Sequence, residues 1–381
     1  MSRSNRKKDP IRTLIRGMIF LAVAAAVCAG IFYGLNAFEK RTLDLKIKDT
    51  EAVNQKRAQD YQAALAEYQS ATQKGQNLAW PAPKKEGWDV VDLSAFGLEN
   101  TRRTTVDRAT LLTGGMMLVN QWHPLPEEFF ALSDAGVKGV ALTSNWKVGA
   151  SSNEVKLFPQ AIEALQLMIQ DAETAGLKHY FVSEGYRTVA RQQELFDAEK
   201  ARLEDKYSGD MLITQAKKKI NPPGTSEYHS GLSFTMGLYS KDDPSVVKLV
   251  FQKSDQGKWL TENCWQYGFI FRFPLLDFPN ASWTDKSHKT GVTIPLNLYR
   301  WVGIPHATVM RQMDFCLEEY VEYLIQHPHL AVYENGKLRY EIFRRPVGND
   351  AAVNIEVPLA ASSWLPSLDN MGGVVTAFVY Q

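Results

Sequence analysis

The chain has 381 residues, of which 45% are hydrophobic, enough to bury the core of one large domain or two modest ones. Its formal charge of +1 at pH 7 gives no reason to expect a nucleic-acid partner. Three cysteines are too few for a disulfide framework, and no Cys-x-x-Cys pair indicates a metal knuckle. Cys264 and Cys316 are expected to be buried thiols, and whether they pair stays open.

The N-terminal residues predict a membrane anchor. Residues 1–16 form a basic tail in which Asp9 is the only acid, and residues 17–38 are then almost wholly apolar. This length spans a bilayer as a helix, and the positive flank places the N-terminus in the cytoplasm. A cleaved signal peptide is the alternative, but the apolar run continues past the small residues near Ala26. We therefore expect a single-pass protein of the cell membrane whose main domain is extracytoplasmic.

A polar segment separates the anchor from the globular part. Residues 39–79 lack proline, and apolar or small side chains recur there at intervals of three and four residues. This spacing predicts a helical stalk with coiled-coil character and leaves dimerisation through it open. Residues 80–88 contain Trp-Pro-Ala-Pro and predict a stiff, extended linker.

Residues 89–329 predict one globular domain, and residues 330–381 a small C-terminal β segment with a turn at Asp369-Asn370. Within the domain, Gly176 is expected to end an amphipathic helix, and Thr188 to cap another. The remaining predicted elements are a strand at 116–120, an apolar helix face at Ile162, Leu165, Ile169 and Ala172, a strand at 179–182, a strand near 267–273, and one amphipathic helix running from Pro305 through Met310, Leu317, Tyr320 and Leu324 to His327.

Several ordered motifs between about residues 110 and 326 resemble those of the VanY-type D-alanyl-D-alanine carboxypeptidases, which share the Hedgehog/DD-peptidase fold. They are Leu118-Val119-Asn120 with Pro124-Leu125-Pro126, Ser183-Glu184-Gly185-Tyr186-Arg187-Thr188, residues 226–235, Tyr267-Gly268-Phe269-Ile270, Arg300-Trp301-Val302-Gly303 with His306-Ala307, and Cys316-Leu317-Glu318-Glu319-Tyr320. The resemblance implies an α+β fold, with helices packed around a central antiparallel sheet. It also implies zinc-dependent hydrolysis of the terminal peptide bond of peptidoglycan stem peptides.

The residues that the resemblance implies for that chemistry are replaced. In the family pattern S-x-H-x-x-G-x-x-x-D the His and Asp are zinc ligands, and this chain has Tyr228 and Thr235 at those positions. In the pattern E-P-W-H the Glu is the base and the His is the third ligand, and this chain has Ile294 and Asn297 there. A phenol, a hydroxyl and an amide are poor zinc donors, and isoleucine cannot accept a proton from water. We therefore expect no catalytic residue and no cofactor, with zinc requiring relocated ligands. His229 is the substitute candidate, although on a strand its one-residue shift would point it to the opposite face.

Three further positions are substrate-binding candidates by the same resemblance, namely Tyr186, Arg187 and Ser226. The resemblance gives Arg187 a role in holding the substrate carboxylate or the oxyanion that develops at the reacting carbonyl, for which a guanidinium fork is suited. The alternative is that Arg187 merely bridges its own loop.

The sequence thus favours a membrane-anchored, extracytoplasmic and catalytically inactive homologue in the bacterial cell envelope. It would bind a peptidoglycan stem peptide or an envelope protein. Two alternatives stay open: an active zinc D,D-carboxypeptidase with relocated ligands, and a purely structural interaction protein.

Overall fold

The computed structural model describes residues 29–30, 32–38, 40–41, 45, 87–142, 149–280 and 283–381. The chain divides into two compact units, Met1–Val53 and Asn54–Gln381, and everything from residue 87 onward belongs to the second. The predicted basic tail, most of the predicted anchor, nearly all of the stalk and the linker up to residue 86 lie outside the described residues. Within the described ranges, no helix has both the length and the apolar character needed to cross a bilayer.

One five-stranded sheet carries the motifs in the middle of the chain. Its strand order is β4-β6-β7-β9-β8. The β4–β6 pair is parallel and the other pairs are antiparallel. The strands of this sheet are β4 (Gly149–Ala150), β6 (Tyr180–Glu184), β7 (Ser233–Leu238), β8 (Phe269–Phe271) and β9 (Leu298–Trp301). The predicted antiparallel sheet is therefore confirmed apart from one parallel edge pair.

Helices pack against this sheet and against the strands that follow along the chain. In chain order they are α1 (Arg108–Leu112), α2 (Glu127–Gly136), α3 (Pro159–Thr174), α4 (Val189–Leu203), α5 (Gly209–Lys217), α6 (Asp255–Asn263), α7 (Ser287–Thr290), α8 (Ile304–Met313) and α9 (Leu317–Gln326). Helix α3 buries all four residues of its predicted apolar face, and Gly176 follows its end in the left-handed region with φ +84°. The Thr188 hydroxyl accepts a hydrogen bond from the Arg191 amide at the start of α4. These three predictions are confirmed.

The C-terminal strands do not form a separate appendage. A second five-stranded sheet, β1-β10-β11-β14-β13, is antiparallel throughout, and β1 comes from the start of the domain. Val182 and Phe234 of the first sheet share one hydrophobic core with Val374 and Phe378 of the second. Its strands are β1 (Trp88–Asp92), β10 (His329–Glu334), β11 (Lys337–Pro346), β13 (Ser363–Leu368) and β14 (Gly373–Val379). Two small ribbons pair β2 (Thr101–Asp107) with β12 (Ala352–Pro358), and β3 (Lys138–Gly139) with β5 (Lys156–Leu157).

Two of the predicted elements are wrong in detail. Residues 116–119 are not a strand, because the carbonyls of Met117 and Val119 accept hydrogen bonds from buried arginines instead of a neighbouring strand. The single helix predicted from Pro305 is two helices, α8 and α9. Asp314 interrupts them with φ 55°, and the Glu319 carboxylate accepts a hydrogen bond from the Cys316 amide to start α9.

A buried histidine couples the second sheet to pH. The His329 ring bonds the Glu341 carboxylate at 2.7 Å and the Phe96 carbonyl at 2.8 Å. Burial by itself lowers the pKa of His329, but these hydrogen bonds and the charge of Glu341 outweigh it and raise that pKa above the ordinary value. The pKa of Glu341 is lowered, since the bonds from His329 and Tyr380 outweigh the effect of burial.

This pair predicts a loss of stability on the alkaline side of neutrality. A raised folded-state pKa means that protonated His329 stabilises the fold fully below the unfolded value, and that this contribution is lost as pH rises through the folded value. Urea unfolding between about pH 6 and about pH 9 should show the unfolding free energy falling more steeply for the wild type than for His329→Gln. The Glu341 contribution is lost only in acid and does not enter this window. Equal slopes for the two proteins would contradict the assignment.

Candidate functional site

A cleft of about 290 Å³ lies beside the ends of β6 and β7. Glu184 ends β6, Thr235 lies on β7, and the 3-10 helix Glu227–Ser230 precedes β7. The other walls are the end of α5 with the following loop, and the loop before β9. The lining residues are Glu184, Arg187, Gln192, Lys217, Lys218, Lys219, Ile220, Asn221, Ser226, Glu227, Tyr228, Thr235, Phe273, Gly291, Val292, Ile294 and Leu296. The cleft therefore unites distant motifs of the sequence.

Tyr228 and Thr235, which stand at two expected ligand positions, bond to each other. Their hydroxyl oxygens lie 2.5 Å apart. Burial raises the pKa of Tyr228, which keeps the phenol protonated and weakens it further as a metal ligand. The guanidinium carbon of Arg187 lies 3.9 Å from the centroid of the Tyr228 ring, within cation–π range. These two side chains thus form a hydroxyl pair under an arginine.

The second pair of replaced positions offers no better donors. Ile294 contributes an apolar side chain to the cleft, whereas Asn297 is not among its lining residues. The main-chain carbonyl of Asn297 accepts a hydrogen bond from the Met236 amide, beside the β7–β9 pairing. The main chain of Asn297 therefore continues the β7–β9 pairing, and its side chain does not line the cleft.

His229 is turned away from the cleft. It lies in the 3-10 helix and not on a strand as the sequence suggested, and its side chain is fully buried against the edge of Phe130. Its Nδ1 bonds the Arg187 carbonyl at 2.8 Å, so Nδ1 carries the proton, and its Nε2 accepts from the Gly224 amide at 3.1 Å. Burial lowers the pKa of this histidine. Both ring nitrogens are engaged, which leaves no lone pair for a metal.

The residues present do not fit the zinc site that the resemblance implies. Zinc requires three nitrogen, sulfur or carboxylate donors around an open position. Across the part of the chain that the structure describes, no three or more His, Cys, Asp or Glu side chains are grouped so that they could hold a metal ion. The side chains in the cleft agree with this. The hydroxyl pair and Ile294 offer no such donor, and His229 is turned away from the cleft.

Arg187 is already paired with a carboxylate from its own loop. Its Nε and Nη2 donate to the two oxygens of Glu184, with 2.5 Å for the second bond, and its Nη1 donates to Gln192 Oε1 at 3.1 Å. Side-chain exposure is 14% for Arg187 and 38% for Glu184. Arg187 therefore bridges its loop, as the alternative reading expected, and also lines the cleft.

The other two candidate binding residues lie in different surroundings. Ser226 is buried and lines the same cleft as Arg187. The Tyr186 hydroxyl donates to Asp134 Oδ1 at 2.7 Å, and its side chain lines a neighbouring cleft instead. Burial and Asp134 raise the pKa of Tyr186.

Cys264 and Cys316 are both buried and free.

Four buried charged side chains form a group next to the cleft, and one of them, Glu227, also lines it. Arg272 bonds Glu227 at 2.8 Å and Glu318 at 2.8 Å, while Arg300 bonds Glu227 at 2.5 Å, and none of the four exceeds 4% exposure. We call these four residues the ion cluster. Burial would raise the pKa of Glu227, but Arg300 and Arg272 outweigh it and lower that pKa. The cluster is formally neutral, and it joins the 3-10 helix, β9 and α9 to Arg272, the residue that follows β8.

Sequence reasoning missed both the ion cluster and the Glu184–Arg187 pair. All five of these charged residues besides Arg187 stand inside or next to recognised motifs. Buried charges must be paired, so two arginines flanking apolar strands β8 and β9 were a signal for two acidic partners. Which carboxylates they meet depends on tertiary structure.

The comparisons with known proteins agree with the motifs. Residues 154–284 match the family model described as VanY, D-alanyl-D-alanine carboxypeptidase. The chain is 28% identical over 281 residues to a D-alanyl-D-alanine carboxypeptidase of Enterococcus faecium, covering 74% of this chain and 80% of that one. Residues 154–284 therefore carry a VanY-type domain.

One further relative and one solved structure are also similar to this chain. The chain is 29% identical over 207 residues to the putative carboxypeptidase YodJ of Bacillus subtilis, covering 54% of this chain and 67% of that protein. Among solved structures, the D,D-dipeptidase VanXYg in complex with a D-Ala-D-Ala phosphinate analogue superposes with a TM-score of 0.54 and 20% identity, covering 74% of this chain and 100% of that one. That likeness supports the mixed α/β fold with antiparallel sheets.

Breaking the ion cluster should destabilise the domain strongly. Glu227→Gln leaves Arg272 and Arg300 short of a counter-charge, and loss of one partner of a buried pair costs about 3–5 kcal/mol. Chemical denaturation should show that loss. The control is Glu356→Gln, which removes a surface pair with Arg103 whose side chains are 47% and 72% exposed and should cost less than about 1 kcal/mol. Similar losses for the two variants would show that the cluster does not hold the domain together.

Proposed function

We propose that the protein is a catalytically inactive VanY-type homologue that binds peptidoglycan stem peptides in the cleft beside β6 and β7. The observation that carries the proposal is the hydroxyl pair of Tyr228 and Thr235, which stands where the family places two zinc ligands. With Ile294 at the base position, no side chain there can take a proton from water. The cleft itself persists, with Arg187 on its wall.

In this proposal the protein acts at the bacterial cell envelope. The basic tail and the apolar segment 17–38 would hold it in the cell membrane with the N-terminus in the cytoplasm. The stalk and linker would then extend the domain toward the cell wall. The relatives' names, D-alanyl-D-alanine carboxypeptidase among them, support the stem peptide as the ligand class.

Binding to the cell wall should depend on Arg187. The full-length protein should co-sediment with purified peptidoglycan, and Arg187→Ala should weaken this binding by about 10- to 100-fold, because hydrogen bonds from a charged donor contribute about 1.5–3 kcal/mol. Arg103→Ala, an exposed arginine of β2, is the matched control and should bind as the wild type does. A wild type that does not co-sediment would favour the purely structural alternative, and a folded Arg187→Ala variant that binds normally would contradict binding in this cleft.

Hydrolysis is tested separately. Incubation of the purified protein with a stem pentapeptide that ends in D-Ala-D-Ala should release no D-alanine above a protein-free control, with or without added zinc. Release that disappears in His229→Ala would establish the active alternative with relocated ligands and reject the inactive homologue.

A further inference from the structure

The Glu184–Arg187 pair changes what the cleft can recognise. A guanidinium carries five N–H donors. Three of them are directed to Glu184 and Gln192, which leaves two for a ligand. The carboxylate that would complement a charged arginine is thus supplied by the protein itself, from Glu184.

A ligand carboxylate faces two obstacles at this arginine. It must either displace Glu184 and lose the bidentate geometry that makes such pairs strong, or lie beside Glu184 as a like charge, which is unfavourable. A neutral carbonyl oxygen can accept from the two remaining donors without either cost. The electrostatics of the pair therefore favour an uncharged acceptor.

A second cleft supports the same conclusion independently. It has a volume of about 430 Å³, and both Glu184 and Arg187 line it together with Tyr186, Asp134 and Arg191. The ion pair is shared by the two clefts. A peptide held at Arg187 by a carbonyl in the middle of its chain has space to continue past the pair, whereas a peptide that ends there does not use the second cleft.

We propose that the cleft binds a peptide through a neutral main-chain or amidated carbonyl instead of a terminal carboxylate, and that Glu184 is the residue that sets this specificity. This inference rests on the proposed function, since it assumes a peptide in the cleft. The inference goes beyond the proposed function because it states that the cleft rejects a peptide's free terminal carboxylate.

The test compares two forms of one synthetic stem pentapeptide, the free acid and the C-terminal amide, by calorimetric titration into the full-length protein. The wild type should bind the amide about tenfold more tightly, the order expected for one like-charge contact at a partly exposed site. Glu184→Gln leaves the Arg187 charge uncompensated and should invert the preference toward the acid. Asp197→Asn, which removes a carboxylate of α4 that is 50% exposed and paired with Lys200, away from both clefts, should keep the wild-type ratio.

Equal or tighter binding of the acid by the wild type would overturn the role of Glu184 while leaving the binding function intact. An unchanged ratio in Glu184→Gln would do the same. Failure of the wild type to bind either form would overturn both this inference and the proposed function. If Glu184→Gln does not fold, the ratio of the wild-type affinities for the amide and the acid decides the test alone.

Discussion

The ion cluster of Glu227, Arg272, Arg300 and Glu318 is the constraint on which the rest of the domain depends. Removing four charges from water is costly, and the cost is offset only when every charge meets a partner in good geometry. The cluster achieves this with two arginines between two glutamates. The Ser233 hydroxyl donates a further hydrogen bond to Glu227, and the side-chain amide of Asn120 donates one to Glu318. Each partner comes from a different element, so the cluster fixes how those elements meet.

This constraint explains how the cleft persists without its chemistry. Glu227 precedes Tyr228 directly, so the contacts that bury Glu227 also place the Tyr228 phenol in the cleft. Arg300 also fixes residues 115–117, because it donates hydrogen bonds to the carbonyls of Gly115 and Met117. None of these contacts requires a metal or a base. The scaffold can therefore be kept while the groups that it presents change from ligands to a hydroxyl pair.

Local patterns in the sequence predicted the local structure well. The apolar spacing of α3, the glycine after it and the Thr188 cap depend on neighbours within a few residues, and each was confirmed. The strand predicted at 116–120 failed because its carbonyls are used by buried arginines from distant strands. The helix break at Asp314 depends on a cap supplied by Glu319. The pairing of β1 with β10 depends on residues far apart in the chain.

The candidate site could be located from the sequence, although its charges could not be paired. The motifs placed Arg187, Tyr228, Thr235 and Ile294 in one cleft, and the structure unites them there. The ion pair between Arg187 and Glu184 could not be predicted. Glu184 ends strand β6, and its carboxylate reaches Arg187 only because of the turn that the backbone makes between them. Asn297 and Tyr186 aligned with the motifs equally well, yet neither lines that cleft.

The central claim is that this cleft binds ligands without a resident metal, and zinc titration of the full-length protein tests it most directly. After chelation and dialysis, calorimetry with zinc alone should show no stoichiometric site, and the retained metal should stay well below one zinc per chain. One tightly bound zinc per chain that is lost on changing Tyr228 or Thr235 to alanine would contradict the account.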